Sequence, residues 1–162
     1  MTNIRVSTCI VGGGPAGLML GLLLAKRGAD VLVLEGHENF DREFRGEVLQ
    51  PSTAHLLDEL GLLEYVLDQP HSLLDSGKVR LNGKVVGEFS FKKISPEYPY
   101  AIWMPQPVFL AALHRKAESL PSFKCWMGAP RLAERVAPGR ADAGLGSAVS
   151  RARIRKTSSG FR

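Results

Sequence analysis

Residues 9–18 read Cys9-Ile10-Val11-Gly12-Gly13-Gly14-Pro15-Ala16-Gly17-Leu18, and the stretch they open closes on Val31-Leu32-Val33-Leu34-Glu35. The order of these parts decides the fold. Val6 to Val11 is an apolar run of strand length broken only by Ser7 and Thr8, and Pro15 to Arg27 follows at helical period with Leu18, Leu22 and Ala25 on one face. Gly28 stands where that helix must stop, and Asp30 to Leu34 reads as a second buried strand. The three spaced glycines between strand and helix answer separate demands. Gly12 permits a tight turn, Gly14 lets a pyrophosphate approach the backbone, and Gly17 lets the helix pack on the strand so that its first amides point at the phosphate. Glu35, eighteen residues beyond Gly17, closes the second strand where a carboxylate would accept from ribose hydroxyls. Strand, turn, helix, stop and acid together predict a dinucleotide-binding βαβ unit, with a 2′-phosphorylated ribose disfavoured by the acid.

The chain beyond this unit continues in the same class. Gly36 to Gly46 is a polar loop carrying His37, Asp41, Arg42 and Arg45, at the end of a parallel strand where α/β sheets bind ligands. Ser52 is the expected N-cap of a helix holding Leu56, Leu57 and Leu60, stopped by Gly61 before a short second helix over Leu62 to Leu67. From Asp75 to Lys93 the period changes to that of a hairpin, with Asn82-Gly83 as the turn and Phe89 and Phe91 alternating beyond it. Pro107 fits the first turn of a helix that carries Phe109, Leu113, Ala117 and Leu120, and Phe123 to Met127 reads as a third strand after Pro121. The expected fold class is α/β: a doubly wound, Rossmann-like sheet with a β-hairpin insert.

At 162 residues the chain fits one domain, and no apolar run approaches the roughly 18 residues of a membrane span. The early apolar run leads straight into the glycine turn, so it is not read as a signal peptide, and a cytoplasmic location is the expectation. Cys9 and Cys125 sit in strand-like runs and are expected to be buried thiols, with no metal set. His37, His55, His71 and His114 stand at unrelated spacings and are expected to be solvated or packed. The net charge of +5 is unevenly spread: residues 130–162 hold eight Lys or Arg against Glu134 and Asp142, leaving the rest slightly acidic. Apolar residues keep no sustained period after Ala129, so 130–162 reads as a basic, poorly ordered tail. It has Phe161 as its sole aromatic and no recognisable motif, so nucleic acid is not the expected partner.

Three motifs in this order resemble the N-terminal part of the class A flavoprotein monooxygenases, the para-hydroxybenzoate hydroxylase-like family. They are Gly12-x-Gly14-x-x-Gly17-Leu18 with Leu24, Gly28, Val31, Val33 and Glu35; Arg45-Gly46-Glu47-Val48-Leu49-Gln50-Pro51; and Met104-Pro105-Gln106-Pro107-Val108-Phe109-Leu110. The match covers roughly residues 4 to 129. It implies an FAD site made by Gly12, Gly14, Pro15, Ala16, Gly17 and Glu35, with Arg45 contacting FAD and Gln106 reaching its flavin side. It also implies NAD(P)H as reductant and a small, often aromatic substrate that receives one oxygen atom from O₂. The flavin carries that chemistry, so no side chain is singled out as catalytic. By this resemblance residues 1–129 are a partial FAD-binding domain that includes the start of the substrate-facing sheet.

Family members continue well beyond this length, and their later Asp-Gly and Gly-Asp segments, which finish the FAD site, are not recognisable here. The composition change after Ala129 reads as a frame change or truncation. Two expectations follow: the N-terminal part of an FAD-dependent monooxygenase, or an inactive remnant with weak or no FAD binding. On either, the chain alone is expected not to turn over.

Overall fold

The computed structural model describes residues 2–41, 48–129 and 152–156. In chain order the elements are β1 (Thr2–Val6), β2 (Thr8–Val11), α1 (Pro15–Lys26), β3 (Val31–Leu34), β4 (Val48–Leu49), α2 (Pro51–Glu59), α3 (Leu63–Leu67), β5 (Ser72–Leu74), β6 (Ser76–Leu81), β7 (Lys84–Ser90), α4 (Phe91–Ile94), β8 (Ala101–Trp103), α5 (Gln106–Glu118), β9 (Phe123–Trp126) and β10 (Ala152–Lys156). They divide into two units, Met1–Asp41 with Leu113–Arg162, and Arg42–Ala112.

The first unit is built on a parallel sheet in the order β2-β3-β9, with Cys9 opposite Leu32 and Val33 opposite Cys125. β3 lies between two neighbours and is buried along its whole length, which is why it reads as an unbroken Val-Leu-Val-Leu run. Leu32 and Leu34 pack with Val6, Ala129, Cys9 and Trp126 in one cluster. α1 packs beside Ile10, Val33 and Phe123, because Gly21 carries no side chain. A Cβ there would stand 2.9 Å from Phe123 Cε2 and 3.0 Å from Val33 Cγ2. Leu18, Leu22 and Ala25, the expected apolar face of α1, are all buried. The helix ends in a Schellman motif: Gly28 N–H donates to Ala25 O at 2.9 Å and Ala29 N–H to Leu24 O at 3.1 Å, with Gly28 at φ +82°.

Two features of this unit depart from the sequence reading. The first strand is split at Ser7, because the amides of Ser7 and Thr8 both donate to Asp30 O, at 3.0 and 3.1 Å, and Ser7 Oγ donates to the same oxygen at 2.9 Å. β1 therefore leaves the parallel sheet and pairs antiparallel with β10, placing Ile4 opposite Ile154. β10 lies inside the segment expected to be poorly ordered, and the edge of β1 supplies the backbone groups that pair with it.

In the second unit β4, β8 and β5 form an antiparallel sheet in that order. α2 starts two residues earlier than Ser52 as N-cap predicted, with Gln50 as N-cap and Pro51 in the first turn, where proline's fixed φ suits the helix. Of its expected apolar residues Leu57 is buried and Leu56 is 48% exposed. Gly61 stops it at φ +64°, as expected, with Gly61 N–H on Asp58 O and Leu62 N–H on Leu57 O. The β6–β7 hairpin stands as its own sheet and turns at Asn82 (φ 47°) and Gly83 (φ 80°), the type I′ geometry that Asn-Gly favours. Phe91 does not continue the strand. Its amide donates to Asp75 O at 2.9 Å and the chain enters the single turn of α4.

Candidate cofactor site

The turn between β2 and α1 is shaped by two glycines that touch. Gly12 adopts φ +106°, a conformation that L side chains rarely take, while its amide extends the parallel ladder onto Leu34 O at 2.8 Å. A Cβ on Gly17 would run into the carbonyl oxygen of Gly12, so α1 can approach β2 this closely only without one. Gly14 is the N-cap in extended backbone, Pro15 opens the helix, and the first helical bond is Leu18 N–H to Gly14 O at 2.9 Å. The cap makes no side-chain hydrogen bond. Among the described residues the amides of Gly14, Ala16 and Gly17 have no protein acceptor. Amide hydrogens at the positive end of a 12-residue helix, beside a backbone with no side chains in the way, form a cradle for an anion such as a pyrophosphate.

Glu35 ends β3 against this turn. It is the buried charged residue of the described chain, and its carboxylate reaches back 22 positions so that Oε2 accepts from Gly13 N–H at 2.7 Å. A Cβ on Gly13 would come within 2.9 Å of both Cβ and Oε2 of Glu35. Glu35 Oε1 accepts from His37 N–H at 2.9 Å and lies 2.7 Å from His37 Nδ1. The backbone beneath is anchored by β9 and its exit: Glu35 N–H donates to Trp126 O, Ala129 N–H to Glu35 O and Gly128 N–H to His37 O, at 2.8 to 2.9 Å.

The structure thus brings together Gly12, Gly14, Pro15, Ala16, Gly17 and Glu35. Gln106 opens α5, where Pro105 O accepts from Val108 and Phe109, and it stands in the second unit. Arg45 lies outside the described residues. Sequence reasoning missed Gly13 and His37. The available signal was their position, one inside the glycine turn and the other two residues past the acid. Of the other histidines, His55 pairs with Glu59 at 3.6 Å and His71 Nδ1 meets Gln69 O at 2.8 Å. His114 lies edge-on between the rings of Phe40 and Phe123, with Nε2 3.5 Å from Glu118. No group of His, Cys, Asp or Glu among the described residues could hold a metal, and no helix among them is long and apolar enough to cross a membrane.

Two ionisable groups are held neutral well into alkali. Burial, then the negative charges of Glu118 and Glu35, push the Cys125 thiol up to about 12 from 9.0. The hydrogen bond to Asp58 Oδ2 at 2.7 Å, then burial, push the Tyr98 phenol up to about 12 from 10.0. Both groups ionise more easily in the unfolded chain, so their contribution to stability is complete below pH 9 and is lost as pH rises toward 12. Melting temperature is therefore expected to hold between pH 7 and 9 and to fall above it. The fall should be shallower in Cys125→Ala and in Tyr98→Phe.

Residues 5–133 match the family model of the FAD binding domain. The chain belongs to the FAD binding domain family. This FAD-binding domain is 35% identical over 124 residues to 6-methylpretetramide 4-monooxygenase from Streptomyces rimosus, a match covering 76% of this chain and 30% of that protein. It is 30% identical over 115 residues to para-nitrophenol 4-monooxygenase from Pseudomonas sp. (strain WBC-3), covering 70% of this chain and 28% of the relative. The crystal structure of p-nitrophenol 4-monooxygenase from Pseudomonas putida superposes with a TM-score of 0.70 at 26% identity, over 76% of this chain and 32% of the other. The chain thus spans about a third of the length of the relatives it matches. The α/β sheet with its glycine turn is the FAD-binding domain expected from the sequence, and FAD is the cofactor of the family.

Proposed function

We propose that this chain is the FAD-holding part of an NAD(P)H-dependent flavin monooxygenase that hydroxylates a small aromatic compound, in the cytoplasm. The observation that carries the reading is the amide cradle of Gly14, Ala16 and Gly17, without an acceptor among the described residues, beside a buried acid that ends the next strand. Gly12, Gly14, Pro15, Ala16 and Gly17 would take the pyrophosphate of FAD, Glu35 the adenosine ribose, and Arg45 and Gln106 the remainder of the cofactor. Bound FAD supplies the redox and oxygen chemistry; the chain's own residues bind and orient it. The names of the relatives support a monooxygenase acting on an aromatic compound. We place the domain boundary near Ala129, with the basic segment 130–162 outside the cofactor site.

The test is titration with FAD and FMN, followed by flavin fluorescence. Glu35→Ala is expected to weaken FAD by tenfold or more, since one hydrogen bond to a charged group contributes about 1.5 to 3 kcal/mol. FMN, which lacks the adenosine ribose, should bind both proteins equally. An unchanged FAD dissociation constant would refute the role of Glu35.

A further inference from the structure

The Glu35 carboxylate is held at both oxygens. Gly13 N–H reaches Oε2 at 2.7 Å, while the amide and the imidazole of His37 reach Oε1 at 2.9 and 2.7 Å. The carboxylate side chain is 5% exposed and the imidazole 59% exposed. The ring is thus an outer clamp on a buried group. The terminal torsion of a glutamate is broad and weakly restrained by itself, so its plane is set by the donors around it. The amide donors come from backbone that is anchored elsewhere, through Gly12 N–H on Leu34 O and Gly128 N–H on His37 O. His37 Nδ1 is the side-chain donor of the three, and the one that a substitution can remove without touching the main chain.

We infer that His37 is a positioning residue for the adenosine end of the cofactor: as the Nδ1–H tautomer it donates to Glu35 Oε1 and holds the carboxyl plane in the orientation that receives a ribose diol. This rests on the reading of Glu35 as ribose acceptor. Fixing the plane before the ligand arrives removes an ordering cost from binding. It also ties the acid to Gly13, so the ribose end and the phosphate turn keep one spacing. The ligand class read by the clamp is an adenosine diphosphate with free ribose hydroxyls, whichever group lies beyond its second phosphate.

The experiment is calorimetric titration of the chain with ADP and, separately, with inorganic pyrophosphate, which meets the glycine turn but carries no ribose. Wild type is compared with Glu35→Ala, His37→Ala and His37→Asn, each checked by circular dichroism and melting temperature. His37→Ala is expected to weaken ADP by about three- to tenfold, the cost of ordering one freed side chain on binding, and to leave pyrophosphate unchanged. His37→Asn should recover most of the ADP affinity, because its amide nitrogen can stand where Nδ1 stands. The nitrogen-15 spectrum of the imidazole should show the proton on Nδ1 in wild type and lose that preference in Glu35→Ala. Weaker ADP binding in Glu35→Ala with none in His37→Ala overturns the His37 role alone. No ADP effect in either variant, or no ADP binding by wild type, overturns the ribose reading and this inference with it. An equal loss for ADP and pyrophosphate in His37→Ala, or no recovery in His37→Asn, assigns His37 to support of the loop and overturns the proposal.

Discussion

Replacing Gly17 with alanine is expected to abolish measurable FAD binding and to lower the unfolding free energy by about 1 to 3 kcal/mol, the range for overpacking a close contact. The new methyl group meets the carbonyl oxygen of Gly12, which is main chain and has no rotamer to escape into. Gly12 itself has little room to move, since its amide is bonded to Leu34 O at 2.8 Å and its φ is +106°. Either α1 lifts from β2 or the turn reshapes, and both displace the amides of Gly14, Ala16 and Gly17 that make the cradle. Flavin fluorescence titration with urea denaturation measures the two effects together. Wild-type affinity in Gly17→Ala would show that the turn yields without consequence and would remove it from the site.

The second large effect belongs to Leu32, fully buried on the middle strand among Leu34, Val6, Ala129, Cys9 and Trp126. Leu32→Ala is expected to destabilise the chain by about 2 to 5 kcal/mol, because the lost contacts leave a cavity between fixed strands. A domain's total stability is on the order of 5 to 15 kcal/mol, so the variant should melt far below wild type. Excess FAD should recover part of the loss, since a ligand that binds only the folded state stabilises it by mass action. Leu56→Ala is the control: that side chain is 48% exposed, and the change should stay within about 0.5 kcal/mol. Equal losses in the two variants would contradict the packing described for β3.

The parts of the fold that were legible in the sequence are those where one residue carries one backbone demand. Gly12, Gly28, Gly61 and Asn82-Gly83 all take positive φ, and each marks a turn, stop or hairpin that the sequence located. β3 was legible because burial on both faces leaves no polar residue in the run. The parts that were not legible depend on partners distant in sequence. Ser7 breaks its strand through Asp30 O, 23 residues away, and Phe91 turns into α4 although its amide still pairs across the hairpin with Asp75 O. Ser52 looked like a helix cap because its chemistry fits one, but with Pro51 opening the helix the cap falls on Gln50, two residues earlier. At the site, the motif spacing located Gly12, Gly14, Gly17 and Glu35. It left Gly13 and His37 unread, since their role exists only once the carboxylate of Glu35 folds back over the turn.

The order β2-β3-β9 also carries a timing problem for the growing chain. β3 meets β2 across the short span of α1, but its other edge waits for Phe123–Trp126, about 90 residues later. At about 5 to 20 residues per second, that edge stays unpaired for on the order of 5 to 20 seconds of translation. During that interval the backbone of Val31–Leu34 is an apolar strand edge open to any passing β-segment. The β6–β7 hairpin emerges within the same window, with Val79, Leu81, Val85 and Val86 exposed. Yield of this protein in a cell therefore depends on what shields β3 during synthesis. Slowing the ribosome between codons 35 and 122 should send more chain into inclusion bodies, even though the finished fold is unchanged.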